Sequence, residues 1–251
     1  MIETRDLRAG YHGREVLHGV SVRFEPGRVT ALCGPNGCGK STLLKAALGM
    51  TEKLGGEVYI DGDALSALTR REIAQRACYM PQERTAPNIS VGRMVLHGRF
   101  PYLGYPRRYS KRDYELAESA LRRADALDIA SRQVPELSGG QRQRAYMAMA
   151  LAQDTASVLM DEPTAFLDVG HQLAVMDTAR SLARDGRAVV IVLHDLSLAL
   201  KCADDMILLA DGAVAASGTA DEVYSSGALD RAFGVSVRRT MTDDGWQYYY
   251  V

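Results

Sequence analysis

Gly34, Pro35, Asn36, Gly37, Cys38, Gly39, Lys40 and Ser41 fit the phosphate-loop pattern G-x-x-x-x-G-K-[ST]. The pattern lies where its mechanism needs it, between residues 29–33, an apolar run that reads as a buried strand, and a helical run over residues 41–48. Glycines allow consecutive backbone N–H groups to curl around phosphate oxygens, and the helix N-terminus adds its partial positive charge. Lys40 is expected to bridge the β and γ phosphates and the Ser41 hydroxyl to ligate Mg²⁺, with Thr42 completing the nucleotide cradle.

A phosphate loop alone admits kinases, GTPases and many ATPases, so other motifs must choose among them. Val158, Leu159, Met160, Asp161 and Glu162 form an apolar strand ending in two acids, which places a metal-side carboxylate at the C-terminal edge of a sheet. Taken alone, an Asp-Glu pair after a strand also reads as a solvated turn; beside a phosphate loop, Asp161 is expected to hold the Mg²⁺ shell and Glu162 to orient and deprotonate the attacking water. Leu137, Ser138, Gly139, Gly140 and Gln141 precede a helical run and form a second glycine-rich helix N-terminus able to face an anion.

Working outward, residues 2–7 and 16–24 alternate as strands around Gly10, Gly13, Pro26 and Gly27, which predicts an antiparallel start. Residues 57–60 and 77–80 read as further strands. Between 87 and 154 the strand signal gives way to helical spacing, as in Leu116, Ala117, Ala120, Leu121, Ala124 and Leu127, which predicts a helical insertion. Strands return at 157–160, 188–193 and 206–209, separated by helical patterns such as Val175, Met176, Ala179, Leu182 and Ala183. Alternation around a glycine loop predicts an α/β fold with a mainly parallel sheet and helices on its faces. Asp211 and Gly212 signal a hairpin into residues 214–216, then a short helix at 221–224. Two β-like runs, 235–240 and 246–251, flank a turn at Asp243, Asp244 and Gly245, and Trp246, Tyr248, Tyr249 and Tyr250 read as packing on a sheet edge.

The 251 residues carry 47% hydrophobic and 24% charged positions, an ordinary globular composition that excludes disordered, collagen-like and coiled-coil classes. No apolar run is long enough to span a bilayer and the opening residues lack a signal core, so neither a span nor secretion by that route is expected. Thirty basic against 31 acidic residues leave a net charge of -1, too balanced for nonspecific attraction to nucleic acid or anionic lipid. Cys33, Cys38, Cys78 and Cys202 show no C-x-x-C spacing and read as reduced thiols, with no metal assigned to them.

With these elements in order, the sequence resembles the ATP-binding cassette ATPases, whose signature is the LSGGQ at 137–141. The resemblance covers essentially the whole chain. It implies a single domain, 1–251: residues 1–86 and 155–251 a RecA-like core with an antiparallel β part, and 87–154 a helical subdomain inserted before the signature. It implies ATPase activity with Mg²⁺ and ATP, and gives roles to further residues. Gln82 contacts the metal and its water, His194 is the switch histidine on the γ-phosphate, and Asp168, in the stretch 165–168, reaches across a dimer. Tyr11 stacks on adenine, and Ser138, Gly139, Gly140 and Gln141 face the ATP of a partner cassette. His12, His18, His97 and His171 have no comparable context.

Pairing head to tail implies a homodimer, and one motif set without a span implies separate integral membrane permease subunits, a substrate-binding protein acting indirectly, and a peripheral place on the cytoplasmic face of the cell membrane. No nucleic acid partner is expected. The run from His97 through Gly98, Arg99, Phe100, Pro101, Tyr102, Leu103, Gly104 and Tyr105 resembles the import ATPases for iron-siderophore, haem and vitamin B12, as do His171 with Gln172 and residues 194–199. Importers of zinc or manganese are the near alternative, and a soluble cassette acting on nucleic acid or ribosomes is the rival from another class. Arg93, Arg99, Arg107, Arg108, Lys111 and Arg112 read as a solvated basic face, and the family likeness makes their neighbourhood the permease dock.

Overall fold

A computed structural model describes every residue except 83, 84, 166 and 244. The chain opens with β1 (Ile2–Tyr11) and β2 (Arg14–Phe24), then β3 (Val29–Cys33), the phosphate loop and α1 (Lys40–Ala47). β4 (Glu52–Ile60), β5 (Asp63–Ala64), α2 (Arg70–Arg76) and β6 (Ala77–Met80) follow, then α3 (Val91–His97), α4 (Lys111–Arg123) and α5 (Gly139–Gln153). Strands resume with β7 (Ser157–Met160), α6 (Val169–Arg184), β8 (Ala188–Val192), α7 (Leu196–Cys202), β9 (Asp205–Ala210) and β10 (Ala213–Thr219). The end is α8 (Ala220–Ser225), α9 (Ala228–Phe233), β11 (Val237–Thr242) and β12 (Gly245–Tyr250).

The main sheet runs β10-β9-β3-β8-β7-β6, parallel throughout except for β10. Its central strands, such as VTALC and AVVIV, are buried along their whole length, the pattern of strands covered on both faces. A smaller antiparallel sheet runs β2-β1-β4-β5. α1 lies between the two: Leu43 and Leu44 pack with Leu7, Val20 and Phe24 of the small sheet and with Leu32, Val190 and Ile207 of the large one. The opposite face of the large sheet packs against the helical insertion and α6.

β1 extends four residues beyond the alternation that marks it in the sequence. Asp6 sits in the left-handed region at φ 47°, and the register with β2 shifts there, so burial passes from Ile2 and Thr4 to Leu7 and Ala9. That bulge resets which face points inward. The earlier half of β4, residues 52–56, carries no apolar alternation and pairs with the extended end of β1. Gly10 lies in the strand, and the hairpin turn is made by His12 and Gly13.

The basic cluster is corrected at one member. Arg93, Arg107, Arg108, Lys111 and Arg112 are exposed, but Arg99 is only 6% exposed. Its Nε donates to Asp113 Oδ1 at 3.0 Å, its Nη1 to the Ala152 carbonyl at 3.0 Å and the Gln153 carbonyl at 3.2 Å, and its guanidinium lies 3.9 Å from the Tyr102 ring centroid. One side chain thus joins the end of α3 to the start of α4 and the end of α5. Burial pulls the Asp113 carboxyl upward, but the Ser110 hydroxyl and amide and Arg99 outweigh it and hold the group below its ordinary value. That stabilisation is present above the ordinary carboxylate range and is lost as pH falls through the depressed value. Arg99→Ala would strand a buried carboxylate, a change that costs about 3 to 5 kcal/mol, or roughly 6 to 20 °C in Tm for a chain of this size. Thermal unfolding followed by circular dichroism checks this; a shift under about 2 °C would mean the pair carries little.

The C-terminal aromatics are also corrected. β11 and β12 form a separate two-stranded sheet, and its aromatics pack on helices rather than on a sheet edge. Arg239 lies over the rings of Tyr224 and Trp246, Tyr248 meets Tyr224 edge-on, and the Tyr250 hydroxyl accepts from the Ser197 amide at 3.1 Å, so the hairpin packs on α7 and α8. Asp244 of the expected turn lies outside the described residues, as does Phe166 within 165–168. Among the described residues no helix is long and apolar enough to cross a membrane.

Candidate functional site

The strands β3, β8, β7 and β6 end on the same side of the sheet, and each hands its chain to one part of the site, as the C-terminal edge of a parallel sheet does. β3 leads into Gly34, whose φ of 151° and surroundings exclude a side chain: a Cβ would stand 2.2 Å from the Leu209 carbonyl oxygen and 2.6 Å from Cys38 Sγ. Gly39 caps α1 with no side-chain hydrogen bond, which leaves the first-turn N–H groups facing the loop. Lys40 is 6% exposed, and its ammonium donates to the carbonyls of Gly34 at 2.7 Å and Pro35 at 2.9 Å, so the charge is held inside the ring of the loop.

β7 hands the chain to Asp161, 1% exposed, whose Oδ1 accepts from Ser41 Oγ at 3.0 Å and Oδ2 from the Tyr79 hydroxyl at 2.9 Å. Burial and the neighbouring Asp161 charge push the Tyr79 phenol well above its usual value. Glu162 follows at φ 49°, a left-handed conformation that costs a non-glycine residue on the order of 1 kcal/mol or more. Its Oε2 accepts from Gln82 Nε2 at 2.6 Å and its Oε1 meets His194 Nε2 at 2.6 Å. The ends of β6, β7 and β8 thus converge on one carboxylate. Of the three residues expected at the metal, Ser41 and Asp161 are in contact, whereas the Gln82 amide is engaged with Glu162.

Tyr11, at the end of β1, shares a cavity of about 770 Å³ with Pro35, Asn36, Gly37 and Cys38. His12 and His18, set aside in the sequence, line that same cavity, and His18 Nδ1 meets Glu15 at 3.1 Å. The Cys33 and Cys78 thiols are pushed up to about 12 by burial and stay protonated.

Residues 138–141 stand apart from the phosphate-loop cavity. Ser138 caps α5 by accepting from the Gln141 amide at 3.4 Å, while Gln141 Oε1 accepts from the Ser138 amide and from Arg132 Nη1, each at 3.1 Å. Around Gly139 an added Cβ would meet nothing within 4 Å. Gly140 lines a second cavity of about 540 Å³ with Asp168 and His171. Asp168 caps α6, accepting from the His171 amide at 2.9 Å and from its Nδ1 at 2.8 Å, contacts that hold the exposed carboxyl below its usual value.

Sequence reasoning missed Tyr79, Arg132 and the bond between Asp168 and His171. For Tyr79 a signal existed: a phenol in an otherwise apolar strand needs a polar partner when buried.

Residues 17–165 match the family model described as ABC transporter. The hemin import ATP-binding protein HmuV of Rhodococcus jostii is 45% identical over 223 residues, covering 88% of this chain and 76% of that protein. The iron(3+)-hydroxamate import ATP-binding protein FhuC of Bacillus subtilis is 37% identical, covering 93% of this chain and 88% of that protein. Among solved structures, a dimeric bacterial ABC transporter cassette superposes with a TM-score of 0.77 at 27% identity, covering 88% of this chain and 99% of that one. The family model spans more than half of the chain and these relatives most of it, so the chain belongs to the ABC transporter family as one of its ATPases.

Proposed function

We propose that this protein is the ATP-hydrolysing subunit of an importer for a chelated-iron, haem or corrinoid ligand, working as a homodimer on the cytoplasmic face of a membrane permease. The observation that carries the catalytic part is the Glu162 carboxylate, held by Gln82 and His194 beside the phosphate loop. The names of relatives, hemin and iron(3+)-hydroxamate import, support the ligand class.

In this reading the loop backbone and Lys40 cradle the phosphates, with adenine on Tyr11. Ser41 Oγ and Asp161 Oδ1, hard oxygen donors 3.0 Å apart, fit a small divalent cation. Ser41 and Asp161 would hold Mg²⁺ there, and the ion would supply neutralisation of phosphate charge. Glu162 accepts the proton of the attacking water, Gln82 and His194 fix the direction in which its lone pairs point, and His194 reaches the γ-phosphate. Ser138, Gly139, Gly140 and Gln141 close on the partner's nucleotide and Asp168 contacts the partner. The core at 1–86 and 155–251 carries the nucleotide, and the helical part at 87–154 carries the permease.

A groove of about 610 Å³ between these parts, lined by Met50, Arg70, Phe100, Pro101 and Met149, offers apolar surface for a permease segment. Met50 and Phe100 are exposed at 57% and 46%, and Arg107 lies over the Phe100 ring at 4.6 Å, placing positive charge at its rim. Reversing Arg107 and Arg108 to Glu should abolish ligand uptake in proteoliposomes while the isolated subunit binds ATP as before. Uptake at the native level, or cross-links that map the permease to another face, would reject the dock. Supplying ferric siderophore, haem, cobalamin, zinc and manganese to the same proteoliposomes tests the ligand class, and uptake of zinc or manganese alone would replace it.

A further inference from the structure

A carboxylate removed from water needs partners for both oxygens, and Asp161 has one from each side. β6 and β7 run parallel with Tyr79 opposite Leu159, so Tyr79 and Asp161, two residues beyond Leu159, project from the same face. α1 packs on that face and brings Ser41 to Oδ1, while Tyr79 reaches Oδ2 from the edge strand. A helix and a neighbouring strand therefore grip the carboxylate between them, and its plane cannot turn without breaking one of two hydrogen bonds.

We propose that Tyr79 is a positioning residue for the metal–nucleotide complex: its hydroxyl sets the orientation in which Asp161 meets the cation. This rests on the reading of Asp161 as the metal-side carboxylate. Ser41 is expected to turn toward the cation when nucleotide binds, which leaves the Tyr79 hydroxyl as the protein bond that keeps Asp161 in place. The ring of Tyr79 also forms part of the wall of the groove beside Met50 and Phe100, so the informative substitution retains it.

The test is Tyr79→Phe, with affinity for a fluorescent ATP analogue measured in EDTA and across a Mn²⁺ series, and bound Mn²⁺ followed by electron paramagnetic resonance. Hydrogen bonds to charged groups have a strength that translates into a roughly 10- to 100-fold higher Mn²⁺ requirement, with unchanged affinity in EDTA. Asp161→Asn should raise the requirement at least as far, and adding Tyr79→Phe to it should raise it no further, because the hydroxyl acts through that carboxylate. A Tyr79→Phe chain with the native Mn²⁺ dependence, beside an impaired Asp161→Asn, overturns the proposal alone. Equal weakening with and without metal also overturns it, showing general damage to the site. If Asp161→Asn itself leaves the Mn²⁺ dependence untouched, the metal reading of Asp161 fails first. Should Tyr79→Phe not fold, Tyr79→Met, which fills similar volume and offers no donor, takes its place in the same Mn²⁺ series: a raised requirement with unchanged affinity in EDTA is expected, and the native Mn²⁺ dependence overturns the proposal.

Discussion

Glu162→Gln should bind ATP with near-native affinity and hydrolyse it about 10² to 10⁴ times more slowly, the usual contribution of a general base and about 3 to 5 kcal/mol of barrier. The geometry makes this a clean substitution. The variant amide can offer its oxygen to Gln82 Nε2 and its NH₂ to His194 Nε2, provided that the imidazole carries its proton on Nδ1, so both neighbours keep a partner. What is lost is the capacity to take a proton. With two composite sites filled and uncut, each signature should remain on its partner's γ-phosphate, and Mg-ATP should drive the variant into a stable dimer more readily than the native protein. Phosphate release and size-exclusion chromatography read the two consequences separately. Hydrolysis at the native rate would remove Glu162 as the base and shift attention to Asp161, His194 or a substrate-assisted route.

Lys40→Ala should fail in the opposite way, at binding. Its ammonium is buried within the loop and already fixed by the Gly34 and Pro35 carbonyls, so it meets phosphate oxygens with little side-chain freedom left to lose. Charge-assisted hydrogen bonds contribute about 1.5 to 3 kcal/mol, so ATP affinity should fall roughly 10- to 150-fold, and no ATP-driven dimer should form. Calorimetric titration with Mg-ATP measures the loss. Native affinity in a folded Lys40→Ala would show that the backbone cradle alone holds the phosphates.

The parts of the fold that were plain in the sequence are those whose signal is local. β3 and β7 are legible to the residue because VTALC and SVLM are mostly apolar on both faces and stop at Gly34 and at Asp161. The sequence shows only the second half of β4, because its first half answers only to the bulged end of β1, a partner more than 40 residues away. α2 buries Ile73 alone and is announced chiefly by the reciprocal bonds of Thr69 and Glu72, which an apolar-period reading passes over. Arg99 looks like one more solvated cation in the sequence because no spacing reveals that Asp113 and two carbonyls of α5 close around it. The candidate site divides in the same manner. Lys40, Ser41, Asp161 and Glu162 carry their chemistry in short patterns, whereas Tyr79 acquires its meaning from a residue 82 positions later.

Gly34 and Gly139 are the same residue in the chain's alphabet and opposite in what they record. A library of substitutions scored only for folded protein would be depleted at 34, where every side chain runs into Leu209, and would be indifferent at 139, where there is room on all sides. Scored instead for transport by the assembled importer, both positions should be emptied. The difference between the two scores would measure how much of this sequence is written for its own fold and how much for the work the folded chain performs.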